Sequence, residues 1–196
     1  GGLGVYLLKK IMEMAPANVY LHAKKTFSDF SSWINRFDLC SGEYVDIDIT
    51  AYDSTQRGAS LVMEEMLLDY FSVPRELIDF YLHDKLDAHT KAVHIGLMRL
   101  SGELFTWLFN TMHMLARTVT KYSIQPGDPI CVAGDDTLMF KDYQTNPDWF
   151  REWERLDICI EKKRSPLKWE FLWLESCQWI CFQGPENLIH ALESSC

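Results

Sequence analysis

The sequence predicts an α+β domain in which helices pack on an antiparallel sheet. Three observations carry that expectation. Residues 44–50 alternate strictly, with Val45, Ile47 and Ile49 on one face and Asp46 and Asp48 on the other, the pattern of a half-buried strand. Two short apolar runs, 130–133 and 137–140, flank Gly134-Asp135-Asp136 and read as a tight hairpin. Residues 102–122 are long and apolar on one side and read as a buried helix.

The remaining elements follow in chain order. Residues 3–14 read as a helix, with Pro16 after it. Residues 20–23 suit a short strand, and 27–37 are apolar and aromatic at helical spacing. After the alternating strand, helices are expected over 60–71, bounded by Pro74, and over 76–84. Residues 89–100 contain β-branched residues and a glycine and read as a hairpin. Pro126-Gly127-Asp128-Pro129 is a strong turn signal. A helix over 147–156, a strand over 157–160 and an aromatic hairpin within 171–182 complete the chain. No internal repeat or low-complexity tract interrupts it.

Composition bounds the answer. The chain has 196 residues, 47% hydrophobic and 24% charged, which is an ordinary globular balance with enough apolar residues for a real core. Nineteen Lys+Arg against 28 Asp+Glu leave a net charge of −9. That argues against a general nucleic-acid coat, which would be basic, but not against a site that holds metal ions. The apolar runs are too short to span a bilayer, and Gly1-Gly2-Leu3-Gly4 opens the chain with neither a secretory pattern nor an initiator Met, so it is expected to be cut from something longer. The six cysteines are too scattered for a secreted disulfide scaffold. Cys177 and Cys181 lie one helical turn apart, but His190 is the only nearby His, so intracellular thiols are expected rather than a zinc site.

The chemistry is carried by three segments. Asp135 and Asp136 are adjacent carboxylates at a hairpin tip; they repel each other, and a divalent cation with a taste for hard oxygen ligands, Mg²⁺ or Mn²⁺, resolves that repulsion. A solvated Gly-Asp-Asp turn is the plain alternative. Asp48 ends the alternating strand and Asp53 follows it; a carboxylate there, opposite the hairpin, can complete a two-metal site for phosphoryl transfer. Asp46 lies on the same strand face and is the rival ligand. In Ser101-Gly102-Glu103-Leu104-Phe105-Thr106-Trp107-Leu108-Phe109-Asn110-Thr111, Thr106 and Asn110 share a helix face, and Ser101 and Gly102 are expected at the helix start, where backbone can approach a phosphate or a base pair. Taken singly, an N-cap and a polar stripe explain this segment as well.

Together the three segments resemble the palm of viral RNA-dependent RNA polymerases, whose pattern is Asp-x4-Asp, then Ser/Thr-Gly-x3-Thr-x3-Asn-Thr, then Gly-Asp-Asp. Here it reads Asp48…Asp53, Ser101-Gly102…Thr106…Asn110-Thr111, and Gly134-Asp135-Asp136, in that order and at that spacing. The wording is most similar to the alphavirus-like supergroup, and within it to tymovirus-like and flexible filamentous virus replicases. Thr50-Ala51-Tyr52-Asp53-Ser54-Thr55-Gln56, Met98-Arg99-Leu100-Ser101-Gly102-Glu103 and Tyr20-Leu21-His22-Ala23-Lys24-Lys25-Thr26 look like that group's versions. The likeness runs from about residue 18 to about residue 165.

The resemblance implies roles. Asp48 and Asp135 would ligate two catalytic Mg²⁺ (or Mn²⁺) ions, with Asp136 assisting. Asp53 would sit near the incoming ribose and, with Asn110 and either Ser101 or Thr106, recognise its 2′-hydroxyl; an acceptor at this position suits a ribonucleotide, where an enzyme selecting deoxynucleotides would place a bulky ring. Gly102 would let the backbone follow the template nucleotide. Arg99 is either a phosphate contact or a surface arginine. Lys162 or Lys163, in Glu161-Lys162-Lys163-Arg164, would protonate the leaving pyrophosphate, unless that cluster is a solvated basic turn. Phe171-Leu172-Trp173 and Ile180-Cys181-Phe182 both match the family's primer-gripping hairpin imperfectly, so no primer-grip residue is assigned.

The implied activity is RNA-directed RNA synthesis in viral genome replication. The partners would be template and nascent RNA, ribonucleoside triphosphates and covalently linked capping and helicase domains, in the host cytoplasm within a membrane-associated replication complex. The implied division is a fingers-proximal segment (1–40), the palm strand with the first Asp motif (41–60), fingers and palm helices (61–97), palm with the Ser-Gly helix and Gly-Asp-Asp hairpin (98–165), and the palm–thumb junction (166–196). The basic loop that holds the triphosphate would precede residue 1 and the thumb would follow residue 196, so the isolated fragment is expected to be inactive. Other palm-fold enzymes fit less well. A reverse transcriptase would carry Tyr or Phe in place of Asp53 and an aromatic-x-Asp-Asp hairpin, and a nucleotide cyclase lacks the Ser-Gly…Thr…Asn-Thr helix. A non-enzymatic cation-binding domain leaves the joint spacing unexplained.

Overall fold

Strict alternation in the central strand organises the domain. In the computed structural model, which describes residues 2–39, 44–49, 52–87, 97–99, 105–149 and 161–164, that strand is β2 (Val45–Asp48). Val45, Ile47 and the following Ile49 are each only 2% exposed, so one face of the strand enters the core as the pattern requires. Four other strands join it: β1 (Val19–Leu21), β3 (Ile130–Ala133), β4 (Asp136–Met139) and β5 (Glu161–Arg164), in the sheet order β1-β3-β4-β2-β5.

The sheet is mixed rather than purely antiparallel. β3 and β4 form the expected hairpin, and β2 pairs antiparallel with both β4 and β5, but β1 pairs parallel with β3. The reason is topological. The chain leaves β1, passes through all the intervening helices and β2, and re-enters beside it from the same end, which a parallel neighbour requires. Of the two readings of residues 161–164, strand and turn, the backbone is a strand, in register with β2 as Lys162↔Ile47 and Lys163↔Asp46. The expected strand at 157–160 lies outside the described residues.

The two faces of the sheet hold different cores. On one, Val45, Ile47, Ile130, Val132 and Met139 pack with Leu7 and Ile11 of α1 (Gly2–Met14), Leu68 of α3 (Gly58–Tyr70), Ile78 of α4 (Arg75–Leu86), and Leu108, Phe109 and Met114 of α5 (Thr106–Lys121). On the other, Tyr20, Cys131, Leu138 and Phe140 meet Phe30 and Ile34 of α2 (Phe27–Arg36). A capping box starts α2. The Thr26 hydroxyl accepts from the Asp29 backbone N–H, and the Asp29 carboxylate accepts from the Thr26 N–H at 2.7 Å.

Helix α5 begins later than its apolar pattern suggests. Phe105, with a left-handed φ of 70°, is its N-cap, so Ser101 and Gly102 do not start the helix. Residues 101–104 lie outside the described part, as do most of the expected 89–100 hairpin, most of the 147–156 helix, the 171–182 hairpin and every cysteine except Cys131, which is buried as a thiol. Among the described residues, no helix is long and apolar enough to cross a membrane.

Candidate active site

The Gly-Asp-Asp turn is as short as a hairpin allows. Ala133 pairs with Asp136, leaving Gly134 and Asp135 as the two-residue loop. Gly134 has a φ of +65° and Asp135 is not among the residues with positive φ, the sign pattern of a type II′ turn, which places glycine at its first loop position. A Cβ on Gly134 would meet Trp107 Cδ1 at 3.5 Å, an ordinary contact, so backbone conformation and not space demands glycine here. Asp135 and Asp136 are both half-buried. The β2–β4 register ends at Ile47↔Thr137, so the next antiparallel pair is Asp48 with Asp136. The backbones of the first and third motifs therefore meet at one end of the sheet. The Asp48 side chain lies outside the described part.

Helix α5 joins these strands to the second motif. The Thr111 hydroxyl accepts from the Gly134 backbone N–H at 3.0 Å and donates to the Trp107 carbonyl at 2.8 Å, so the turn is pinned to the helix through the last residue of the second motif, a position the sequence leaves without a role. One residue earlier, Asn110 Nδ2 donates to Asp53 Oδ1 at 3.4 Å. Asn110 is 5% exposed, and its Oδ1 is a buried acceptor with no partner among the described residues. Asp53 itself sits on a single 3-10 turn, Tyr52–Thr55, that follows β2. Thr106, one helical turn before Asn110, is half-buried at the first position of α5. The structure thus joins Asp53 to Asn110 and, through the neighbouring Thr111, ties the same helix to the turn that carries Asp135 and Asp136. Ser101 and Gly102 lie outside its described part.

Below this junction the environment is dry. Tyr52 is buried, with the Arg117 guanidinium 5.6 Å above its ring. Burial pushes the Tyr52 hydroxyl up from its ordinary pKa, against the opposing pull of Arg117, and the nearby Asp135 carboxylate adds to the rise. Arg117 is lowered, again by burial first. His113 is pushed down to about 3, by burial and then by Arg99 and Arg117, so it is neutral at physiological pH although its Nε2 lies 3.6 Å from Glu64.

Arg99 is neither a phosphate contact nor a surface arginine. It is 3% exposed and ion-paired through Nη2 with the Oε1 of Glu64, itself 1% exposed. Its backbone N–H donates to the Asp53 carbonyl at 3.1 Å. Glu64 is not singled out by the sequence, where it is one of two adjacent acids within the helix expected over 60–71. The available signal was that Glu64 lies four residues before Leu68, on the buried stripe.

Lys162 and Lys163 are described by their backbone in β5, the strand beyond β2. On the pleat, position 163 shares a face with Asp46 and Leu138, and position 162 shares the core face with Ile47. Among the described residues, no three His, Cys, Asp or Glu side chains converge on a point that could hold a metal ion.

Residues 1–166 match the family model described as RNA dependent RNA polymerase. The chain is 30% identical over 167 residues to an RNA replication polyprotein of Citrus leaf blotch virus, which spans 83% of this chain and 8% of that protein. It is 42% identical over 119 residues to an RNA replication protein of Sclerotinia sclerotiorum debilitation-associated virus (61% of this chain, 7% of that protein). It is 34% identical over 134 residues to a non-structural replication polyprotein of Ononis yellow mosaic virus (68% and 7%). The chain therefore spans less than a tenth of the length of these relatives. Three motifs joined at one end of a sheet, and a family match across most of the residues that carry them, lead to the same conclusion: the chain belongs to the RNA-dependent RNA polymerase family.

Proposed function

We propose that this chain is the catalytic palm of a viral replicase, joining a ribonucleoside triphosphate to an RNA 3′-hydroxyl under the direction of an RNA template. In this reaction the 3′-oxygen bonds to the α-phosphorus, the bond between that phosphorus and the bridging oxygen breaks, and pyrophosphate leaves. The observation that carries the reading is the hydrogen-bonded junction Asp53–Asn110 and Thr111–Gly134, which ties the three motifs together beside Asp135 and Asp136.

The donor chemistry suits the implied ions. Asp135 and Asp136 offer hard carboxylate oxygens, half-buried and adjacent, with no thiol or imidazole between them. With Asp48 they are the residues that would hold two Mg²⁺ or Mn²⁺ ions. Bound there, the ions would supply Lewis-acid activation of the attacking hydroxyl and charge neutralisation on the leaving group.

The rest of the work falls to the chain's own side chains. The buried Asn110 Oδ1 is an acceptor that the single proton of a 2′-hydroxyl would satisfy and a deoxyribose would leave unpaired, at a desolvation penalty to the wrong substrate. Asp53 accepts from the same amide's Nδ2 and holds it in place. Thr106, half-buried one helical turn before Asn110, is a further polar group for the sugar, and the family pattern gives Ser101 a role beside it and Gly102 a role toward the template strand. A lysine of β5 would hold the proton for pyrophosphate. Lys163 is favoured over Lys162 because its position lies opposite Asp46, on the strand face that the alternation also gives to Asp48, whereas position 162 lies opposite Ile47. The partners we infer are template and nascent RNA, ribonucleotides, and further domains of a replication polyprotein. The setting we infer is a membrane-associated replication complex in the host cytoplasm.

The test is primer extension by the whole protein that carries this chain. Asp135→Ala and Asp48→Ala are each expected to lower it by about a thousandfold or more, and extension at the normal rate by either variant would refute the reading.

A further inference from the structure

The catalytic reading leaves one buried polar cluster without a use. Glu64, Arg99, Gln56 and His113 are 1%, 3%, 3% and 4% exposed, and they come from α3, from the segment just before Ser101, from the end of the Asp53 turn and from α5. Arg99 pairs with Glu64 Oε1. The Tyr81 hydroxyl of α4 donates to Glu64 Oε2 at 2.5 Å. Arg99 Nη2 also reaches Gln56 Oε1 at 3.5 Å, and Gln56 Nε2 donates to the Tyr52 carbonyl at 3.3 Å. The guanidinium carbon lies 5.8 Å from the centre of the Phe109 ring.

Such a cluster is a poor way to gain stability, because desolvating two charges costs about as much as their attraction returns, and apolar side chains of the same volume do as well. What it provides is a fixed geometry. A planar guanidinium held by a carboxylate cannot swing without leaving a buried charge unpaired. The same residue whose side chain is locked in this way donates its backbone N–H to the Asp53 carbonyl at 3.1 Å. Asp53 is also held at its carboxylate by Asn110.

We propose that the buried Glu64–Arg99 pair is a positioning device for sugar selection, holding the backbone at Asp53 so that the Asp53 carboxylate and the Asn110 amide keep the spacing that accepts a ribonucleotide. This rests on the ribose-reading role given above to Asp53 and Asn110. Glu64 and Arg99 touch no substrate in this scheme; they act through Asp53.

The test compares, in the whole protein, the kcat/KM ratio for a ribonucleotide over its 2′-deoxy counterpart. Arg99→Lys and Glu64→Gln are expected to lower the ratio by about tenfold, as small misplacements of a reading group do. Tyr81→Phe, which removes one hydroxyl and no charge, lowers it by about two- to threefold. Leu68→Ala, a core truncation in the same helix as Glu64, lowers the melting temperature and leaves the ratio unchanged. An unchanged ratio in Tyr81→Phe and in whichever of the two charge variants folds, or an equal fall in Leu68→Ala, overturns the inference. Asp53→Ala separates the two levels. If it keeps the wild-type ratio, the ribose reading fails and this inference falls with it; if it loses the ratio while the network variants keep theirs, the inference alone is wrong.

Discussion

Two groups of acidic residues in this domain solve the same electrostatic problem in opposite ways. Asp135 and Asp136 stand side by side at a hairpin tip, half-buried, where bound cations can relieve their repulsion. Glu64 lies in the core, and the chain supplies its counter-charge internally through Arg99, with Tyr81 filling its second oxygen. The first pair sits half-buried at the tip of a turn, where the proposed cations would bind, and the second carboxylate has its counter-charge within the core. In the proposed function the first arrangement serves chemistry, and the second uses charge to fix geometry. They are separated by little more than the Asp53 turn and helix α5, which contacts both.

The largest effect that would break this comparison is on the buried side. Glu64→Ala is expected to destabilise the domain by about 3–5 kcal/mol, because it strands the Arg99 guanidinium away from water. Adding Arg99→Met to a Glu64→Leu background is expected to recover most of that loss, read as protection of the α5 amides from hydrogen exchange in the whole protein. A double variant as unstable as Glu64→Ala would mean that the pair itself, and not the unpaired charge, carries the stability. By contrast, Asp135→Asn removes a repulsion at the tip and should leave that protection unchanged within about 0.5 kcal/mol while abolishing RNA synthesis.

A smaller effect sharpens the link between the regions. Thr111→Val leaves the buried Gly134 N–H without its acceptor and is expected to cost about 1–3 kcal/mol, with faster exchange at the hairpin. Gly134→Ala meets no steric block from Trp107, so its expected cost is that of placing a side chain on the positive-φ backbone of the turn, about 1–3 kcal/mol.

The most gradual effect, small over any one pH unit, is a pH slope. His113 has a folded pKa near 3 against an ordinary value of 6.5, so the unfolded chain binds the extra proton between those limits. Its contribution to stability is complete above pH 6.5 and falls as the pH drops toward 3, by about 1 kcal/mol per unit. His113→Gln should flatten that part of the stability profile relative to wild type; an identical slope in both would mean that His113 is protonated in the folded state.

Much of this was legible in the residues. The alternation of Val45, Ile47 and Ile49 reports a one-sided strand because its period is that of the pleat, and the burial of all three follows. Gly134 between two apolar runs reports a tight hairpin because glycine adopts a positive φ without strain. The structure narrows the expected three-residue tip to Gly134 and Asp135 by starting β4 at Asp136. The spacing of Asp53, Asn110 and Gly134 brought the family into view, and the pairing of Asp53 with Asn110 appears in the structure as a contact. Three features were not legible. The parallel pairing of β1 depends on how a chain of more than a hundred residues returns to the sheet. The late start of α5 depends on the backbone turn at Phe105, which the apolar pattern does not encode. Arg99 reads from the sequence as either a phosphate contact or a surface arginine, because an arginine's local sequence says nothing about a carboxylate 35 positions away.

The sequence by itself determined the local elements, the acidic turn and the order of the motifs, because periodicity, glycine chemistry and spacing act over a few residues. Only the tertiary structure decided which charges are offered outward and which are matched within. That choice depends on burial, and burial depends on what distant segments bring: Arg99 to Glu64, Thr111 to Gly134, Asn110 to Asp53.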